Sequence, residues 1–260
     1  MPARYNQIGK TYTSTRAADP RIVEKLVSML ALGPGTDLID IGAGTGNYSR
    51  ALAQRGFKVQ AVEPSAVMRA QARPHENLCW VEASAESLPF GDNSFDGAVM
   101  TLCIHHFSDW QKGLSEALRV SNQGPLVLFA FDIEYESNFW LFDYFPQFKE
   151  IDKTLRPRID EIEQFVTNKL KFKISMELFP LPSDLIDHFA CADWARPENY
   201  LQRKFRDGIS TFHKLDDSVR ANGLKALQAD LDSGRWHERY GAILESDHYD
   251  FGYLFMRISQ

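Results

Sequence analysis

A carboxylate and three alternating glycines follow an apolar stretch in the first quarter of the chain. Asp40 precedes Gly42, Gly44 and Gly46 within DLIDIGAGTGNYSRAL, residues 37–52. Glycine lets a backbone approach a bound ligand closely, and the amide groups that open a helix attract anionic groups. The spacing therefore predicts a ligand-binding turn between a strand and a helix.

The spacing of the glycines argues against a dinucleotide. The dinucleotide fingerprint is GxGxxG, which would place its third glycine at position 47, where this chain has Asn47. Asp40 would also repel a pyrophosphate, and in a partly dry cleft that repulsion reaches a few kcal/mol. The same carboxylate favours a ligand that carries an ammonium and a sulfonium group.

Short β-branched stretches alternate with amphipathic segments through the first half of the chain. We predict a first helix at 19–32, capped by Asp19, begun by Pro20 and ended by Gly33-Pro34-Gly35. Further helices are expected from about residue 45, from residue 65 and near 109–120. The strands are expected at 37–41, 58–63, 78–82, 95–103 and 125–132. This alternation predicts an α/β fold with a doubly wound, mostly parallel sheet.

The second half has a different character. Residues 184–240 are expected to be mainly helical, and 172–182 and 249–258 each to contain a strand. Six aromatic residues are clustered at 138–148, and their spacing favours a buried helix of a cap, although some of them could wall an apolar acceptor pocket. They are Phe139, Trp140, Phe142, Tyr144, Phe145 and Phe148. We predict three regions: 1–36 as a lid and first helix, 37–132 as the cofactor-binding core, and 133–260 as a helical cap that also completes the sheet.

Several later segments follow the glycine turn in a consistent order. Glu63 ends the second predicted strand, where an acid can accept hydrogen bonds from ribose hydroxyls. VEASAESLPF at 81–90, NSFDGAVMTLCIHHF at 93–107 and EALRVSNQGPLVLFAFD at 116–132 continue the pattern.

Together with LIDIGAGTGNYS, these segments make the chain resemble the class I S-adenosylmethionine-dependent methyltransferases, of the small-molecule, methyltransferase type 11 kind. The resemblance covers roughly residues 5–132 and implies S-adenosyl-L-methionine as cofactor. It also implies a Rossmann-like, seven-stranded, mostly parallel sheet with one antiparallel strand. Asp40, Gly42, Gly44 and Gly46 would then hold the methionine part and Glu63 the ribose.

This sequence differs from the family pattern at two places, the first of which is the turn that would bind adenine. Ser84 and Ala85 match its position, but Ser84 stands where many members carry an aspartate for the adenine amino group. The contact is then expected from the backbone or from the hydroxyl. The second difference is the sequence SNQGP at 121–125, which stands where a Lys-Pro-Gly-Gly turn is commoner. We expect this difference not to affect function.

The segment before the first helix resembles the entry lid of the family. Tyr5 and Tyr12 could present aromatic faces to a sulfonium, and Arg16 could pair with a carboxylate of cofactor or acceptor. The alternative is that the tyrosines pack against the protein and Arg16 lies at the surface. We count Tyr12 and Arg16 as candidate cofactor ligands.

The candidates for catalysis follow the fourth predicted strand. Thr101 is expected on the cofactor side, while His105 or His106 could take a proton from a hydroxyl or ammonium group. The HHF sequence resembles one found in the family across varied substrates, which also allows a structural role. The Asn/Asp-Pro-Pro-aromatic loop, with which related enzymes grip an amino group on a base or amide, is replaced here by TLCIHH.

Composition disfavours several classes of partner. The chain has 260 residues and a formal net charge of −6, without the basic footprint that nucleic acid requires. Its three cysteines are scattered and form no CxxC pair, so we expect neither disulfides nor a metal site. No signal sequence or membrane-spanning stretch is evident, so we expect a cytoplasmic protein that does not bind a membrane. We expect it to be a monomer or a homodimer.

The sequence thus predicts an enzyme that methylates an O, N or C atom of a small, partly apolar molecule, in natural-product or cofactor biosynthesis. The alternative is a regulatory protein that binds S-adenosylmethionine without chemistry. A nicotinamide-dependent oxidoreductase is disfavoured by the glycine spacing and by Asp40.

Overall fold

The structure, a computed structural model, describes residues 15–121, 124–137 and 139–260. Within them the strands, numbered in chain order, are β1 Asp37–Ile41, β2 Lys58–Val62, β3 Leu78–Val81, β4 Gly97–Thr101, β5 Leu126–Phe131, β6 Lys173–Leu178, β7 Leu181–Pro182, β8 His248–Tyr249 and β9 Tyr253–Ser259. The strands other than β7 and β8 form one seven-stranded sheet in the order β3-β2-β1-β4-β5-β9-β6. The short β7 and β8 pair separately, which the sequence did not predict.

The direction of the strands confirms the predicted fold class. The pairs β1–β2, β2–β3, β1–β4 and β4–β5 are parallel, whereas β9 runs antiparallel to both β5 and β6. The sheet is therefore Rossmann-like, with one antiparallel strand. Because β2 and β4 lie on opposite sides of β1, the crevice for a ligand is expected at the carboxyl ends of these strands.

Helices surround the sheet in the described residues. They are α1 Pro20–Leu30, α2 Asn47–Ala53, α3 Ala66–Arg69, α4 Trp110–Val120, α5 Leu141–Tyr144, α6 Gln147–Leu155, α7 Ile159–Gln164, α8 Arg203–Asp207, α9 Asp217–Asp232 and α10 Arg235–Tyr240. Shorter 3-10 segments include Ile104–His106 after β4 and Pro197–Leu201, and a π-helical turn, Phe165–Leu170, extends α7. None of the helices in this part of the chain is both long and apolar enough to cross a membrane.

The first helix begins as predicted and ends earlier than predicted. The Asp19 carboxylate accepts a hydrogen bond from the Arg21 amide at 3.0 Å, and Pro20 occupies the first helical position. The helix stops at Leu30 because Ala31 adopts the left-handed conformation, with φ 53°. Gly33 is therefore not the residue that ends it.

Two hydrophobic cores pack on the two faces of the sheet. Alternate residues of β1 point to opposite faces, so Leu38 joins one core and Ile39 joins the other. In β5 the residues Val127 and Leu128 divide in the same way. Helices on both faces cover these residues, as the apolar strands predict.

The aromatic cluster at 138–148 belongs to the core of the cap. Five of its six members are buried, and Trp140 donates a hydrogen bond from its indole nitrogen to the Trp194 carbonyl at 2.8 Å. Gly223 of α9 approaches Phe145 so closely that a Cβ atom there would lie 2.3 Å from the ring. None of the six lines the main cavity, which favours their role in the core over the alternative in which they wall an acceptor pocket.

The second half agrees with the prediction in part. Residues 184–240 are mainly helical, as predicted, although 184–196 form turns and the helical structure begins at Pro197. The final strand begins at Tyr253 instead of residue 249, because Gly252 adopts φ 86° and turns the chain between β8 and β9. A side chain at Gly252 would also collide with Tyr135.

Candidate active site

One large cavity opens where β1, β2 and β4 end. Its volume is about 790 Å³, which is within the range of small-molecule sites. The glycine turn, Glu63, the adenine turn predicted at Ser84 and the segment 101–108 form its walls. Thr154 and Leu155 at the end of α6, and Asp187 of the cap, also line the cavity.

The three glycines of the turn have different neighbours. All adopt left-handed conformations, with φ between 60° and 76°. A Cβ atom on Gly46 would lie 2.5 Å from the Trp80 ring, and one on Gly42 would lie 2.7 Å from the Cys103 Cβ atom. Gly44 meets only the terminal methyl of Met68, at 3.4 Å, and faces the cavity. Gly44 is thus the position at which a ligand can approach the bare backbone.

Asp40 lies behind the turn and is not among the cavity-lining residues. It is 2% exposed, and its carboxylate accepts a hydrogen bond from the Ser49 hydroxyl on α2. Burial raises the pKa of Asp40 to about 6; the Ser49 bond lowers this pKa, and the negative charge of Glu63 raises it. Asp40 therefore does not line the cavity of this structure, and its role in holding the methionine part stays a prediction.

Glu63 lies on the cavity wall and bridges two segments of backbone. One carboxylate oxygen accepts a hydrogen bond from the Gly44 amide at 3.0 Å, and the other accepts one from the Ser65 amide at 2.8 Å. Burial raises the pKa of Glu63, while the two amide bonds lower it. Each oxygen keeps a further lone pair, so the carboxylate can also accept two hydroxyl groups.

The end of β4 carries a polar group without a partner. The Thr101 hydroxyl is buried and makes no hydrogen bond within the described residues, although Thr101 lines the cavity. Leu102 follows with φ 53°, an unusual conformation for a large residue. Such strain turns the chain sharply after the strand, and a lone buried hydroxyl is a ready partner for a ligand.

The two candidate catalytic histidines lie side by side on the cavity wall. The His105 and His106 rings are in contact, with centroids 3.8 Å apart. The Arg156 guanidinium, which follows α6, lies 3.3 Å from the Nδ1 atom of His105. No feature of the sequence connected Arg156, fifty-one positions away, with this histidine.

Arg16 contacts the cap. Its guanidinium bonds both oxygens of Asp187, and the Tyr48 hydroxyl donates to the same carboxylate at 2.8 Å. All three residues line the cavity. The alternative of a surface position for Arg16 is wrong, since its side chain is 9% exposed. Tyr5 and Tyr12 lie outside the described residues.

Comparison with known proteins identifies the family. A family model described as a methyltransferase domain matches residues 39–129. A crystal structure from Anabaena variabilis, described as a proposed methyltransferase from an antibiotic biosynthesis pathway, is 42% identical and covers 95% of this chain and 99% of its own, with a TM-score of 0.90. The chain belongs to the class I S-adenosylmethionine-dependent methyltransferases.

Curated relatives of the methyltransferase align over a shorter region. Demethylmenaquinone methyltransferase of Tropheryma whipplei is 30% identical over 46% of this chain and 54% of its own length. Malonyl-[acyl-carrier protein] O-methyltransferase of Pectobacterium atrosepticum is 32% identical over 41% of this chain and 43% of its own. The chain thus spans about half the length of these relatives or less.

The methyltransferase fold brings most of the sequence-predicted residues together. Those that line the cavity are Arg16, Gly42, Gly44, Glu63, Ser84, Ala85, Thr101, His105 and His106. Of the described candidates, Asp40 and Gly46 are not on the wall. Sequence reasoning missed Tyr48, Asp187 and Leu155, because residues of a helix and of the cap carry no motif that places them at the sheet edge.

Proposed function

We propose that the chain binds S-adenosyl-L-methionine and transfers its methyl group to a small, partly apolar molecule. The observation that carries this proposal is the position of Glu63, whose buried carboxylate faces a large cavity beside the bare backbone of Gly44. A cationic donor with a ribose has two reasons to bind there. It supplies positive charge to an acidic edge of the sheet, and it supplies hydroxyls to a carboxylate with free lone pairs.

The residues present fit this cofactor. Glu63 would accept the ribose hydroxyls, Ser84 and Ala85 would flank the adenine, and Gly44 would border the methionine part. The unpaired Thr101 hydroxyl would gain a partner. Asp40 would act from behind the turn, since a buried carboxylate favours nearby positive charge even without direct contact.

In methyl transfer the main task of the protein is to align the acceptor atom with the methyl donor. When bound, the cofactor would supply a methyl group on a positively charged sulfur: an electron pair of the acceptor would form the new bond to the methyl carbon, and the sulfur would keep the pair of the broken bond as a neutral thioether. The chain must hold the acceptor atom in line with that bond, which supplies much of the rate acceleration. His105, His106 and Leu155 line the same cavity and would hold the acceptor.

Similarity to other proteins supports an acceptor from biosynthesis. The Anabaena variabilis protein is described with an antibiotic biosynthesis pathway, and two curated relatives are named for methylation of demethylmenaquinone and of malonyl-[acyl-carrier protein]. We infer an acceptor from natural-product or cofactor biosynthesis, methylated at an O, N or C atom. The chain is proposed to work as a monomer or homodimer in the cytoplasm.

Calorimetric titration with S-adenosylmethionine tests the cofactor assignment. We expect Glu63→Gln to weaken binding by about tenfold or more, because two charge-assisted hydrogen bonds are lost. Glu82→Gln is the matched control, since Glu82 also lines the cavity but is paired with Arg69 and 70% exposed at its side chain. Equal affinities for the wild type and both variants, or binding of NAD⁺ in preference to S-adenosylmethionine, would overturn the assignment.

Transfer of a labelled methyl group tests the enzymatic part. The wild type is expected to move label from S-adenosylmethionine into at least one member of a panel of quinols, phenols and carboxylic acids. The variant Gly44→Val, which fills the cofactor side, should lose this transfer. Tight cofactor binding without transfer to any compound of an exhaustive extract would favour the regulatory alternative.

A further inference from the structure

We propose that two copies of this chain pair through strand β6, side by side and antiparallel, so that Lys173 of each copy lies opposite Glu177 of the other. The two sheets would then form one continuous sheet. The inference goes beyond the proposed function and does not depend on it, because β5 and β9 separate β6 from the strands that end at the cavity. It commits to a homodimer, where the sequence left monomer and homodimer open.

Strand β6 is an open edge of the sheet. Within the described residues it pairs only with β9, in a continuous register from Lys173 opposite Ser259 to Leu178 opposite Leu254, without a bulge. The strand contains no proline. No other described segment forms a backbone hydrogen bond with its outer side, so the amide and carbonyl groups on that side face outward. An unpaired edge of this length is a template for another strand.

One face of β6 carries charges in a self-complementary order. Lys173, Ser175 and Glu177 alternate along the strand, so they share a face, and all three are exposed. When a second copy runs antiparallel and Ser175 lies on the two-fold axis, each lysine is directly opposite a glutamate. Opposite charges in such cross-strand pairs stabilise an antiparallel sheet, whereas like charges destabilise it. A lysine on an edge normally discourages pairing with other strands, but here the glutamate of the same strand makes the edge complementary to itself.

The other face of β6 carries apolar residues that a single chain covers incompletely. Ile174 and Met176 are partly buried, and Leu178 is 59% exposed. In the register centred on Ser175, Ile174 lies opposite Met176 of the second copy, and Leu178 lies opposite Phe172, which is also partly buried. Apolar cross-strand pairs of this kind are stabilising, and they remove apolar surface from water. The same register thus suits both faces of the strand.

Both charged residues keep capacity for a contact between copies. One oxygen of Glu177 accepts a hydrogen bond from Lys25 of α1, and the Glu177 side chain is 53% exposed. Its second oxygen makes no hydrogen bond within the described residues. The Lys173 ammonium donates to the main-chain oxygen of Gln260 at 3.3 Å and keeps further N–H donors. The two charges can therefore pair across the axis while their contacts within each chain persist.

Sedimentation equilibrium at increasing protein concentration tests the pairing by exchange of charges. The wild type is expected to form a dimer. Lys173→Glu sets a glutamate opposite Glu177, and Glu177→Lys sets a lysine opposite Lys173, so each variant should dimerise about tenfold more weakly or worse. An equimolar mixture of the two variants should form a heterodimer, because every charge at the joint again meets its opposite. Such mutual rescue is specific to an interface in which these two positions face each other.

The matched control is Lys58→Glu, which makes the same change of charge at an exposed lysine that also begins a strand. Lys58 belongs to β2, which lies inside the sheet between β1 and β3, so this variant should dimerise like the wild type. Circular dichroism verifies that each variant is folded. A wild type that stays monomeric at every concentration, a dimer that survives both β6 variants, or a mixture that fails to associate would each overturn the proposal.

Cross-linking tests the register. Ser175 lies on the proposed axis, so its Cα atoms in the two copies would be about 4.5–5.5 Å apart. With the exposed Cys79 replaced by serine, Ser175→Cys should link two chains through a short bismaleimide, whereas Ser233→Cys, at an exposed serine after α9, should not. Absence of the link in Ser175→Cys, or equal linking in both variants, would overturn the register. Failure to bind S-adenosylmethionine would count against the proposed function alone and would leave the measurements on β6 standing.

Discussion

Arg16 and Asp187 form a two-point ion pair on the cavity wall although 171 positions separate them in the chain. Their side chains are 9% and 1% exposed, so the pair is largely shielded from water. Tyr48 of α2 donates to the same carboxylate. The contact ties the segment before α1 to the cap and to the core, and it defines one end of the candidate site.

Removing the carboxylate of this pair should destabilise the fold. In Asp187→Asn the buried guanidinium of Arg16 loses the negative charge of Asp187, and we expect the free energy of unfolding to fall by about 2–4 kcal/mol. Urea denaturation followed by circular dichroism measures this change. The control is Asp184→Asn, which breaks a surface pair with Arg21 in which Asp184 is 79% exposed. Its expected loss is below about 1 kcal/mol, and equal losses in the two variants would contradict the prediction.

The raised pKa of Asp40 predicts an unusual dependence of stability on pH. Its pKa is about 6 in the folded protein against 3.8 ordinarily, so between these values the folded state binds more protons than the unfolded chain. The contribution of Asp40 to stability is thus fully present below pH 3.8 and is lost as the pH rises through about 6. We expect the wild type to lose about 2 kcal/mol relative to Asp40→Asn across this window.

Denaturation of the two proteins at a series of pH values gives this difference directly. Asparagine can still accept the Ser49 hydroxyl, which makes Asp40→Asn a conservative comparison. Titrating groups that do not interact with Asp40 act equally in both proteins and cancel, while Glu63, whose charge acts on Asp40, contributes to the measured difference. A constant difference between pH 4 and pH 7.5 would show that Asp40 titrates outside the expected window.

The same carboxylate should make cofactor binding depend on pH. A cationic ligand stabilises the ionised form of Asp40 and lowers its pKa below about 6, so affinity for S-adenosylmethionine should rise as the pH increases toward 6 and then level off. Titration calorimetry at pH 5 and pH 7.5 should show a several-fold gain in affinity. Asp40→Asn retains the contribution of Glu63 and should show a weaker dependence. An equally steep dependence in the variant would exclude Asp40 as its source.

Replacing Gly46 should mainly lower the stability of the protein, whereas replacing Gly44 should mainly weaken cofactor binding. Gly46→Ala drives a Cβ atom against the Trp80 ring at 2.5 Å and should lower the free energy of unfolding by about 2–4 kcal/mol. Gly44→Ala meets only a flexible methyl at 3.4 Å and should cost about 1–2 kcal/mol from its left-handed conformation. Gly44→Ala is nevertheless expected to weaken S-adenosylmethionine binding by about tenfold, because it faces the cavity. Denaturation and calorimetry on both variants check this, and the opposite order of stabilities would contradict it.

Much of the sheet could be predicted because its signals are local. Residues 37–41 and 58–63 are short apolar stretches bounded by turn residues, and both became strands with boundaries within one residue of the prediction. Asp19 and Ser65 likewise cap helices, because a cap depends only on the next three residues. The late start of β9 at Tyr253 and the early end of α1 at Leu30 depend on single backbone conformations that periodicity does not reveal.

Sequence alone determined which groups could bind a ligand at one edge of the sheet: a glycine-rich turn, an acid that precedes it in the chain and an acid after the next strand. Those features are encoded by neighbours in the chain, because strand, turn and helix follow from short-range patterns. Only the tertiary structure decided which of these groups faces the cavity. It placed Asp40 behind the turn and Glu63 on the wall, and it brought Asp187 to Arg16 and Arg156 to His105. The reason is that such contacts join distant segments through packing of the whole cap, which no local pattern specifies.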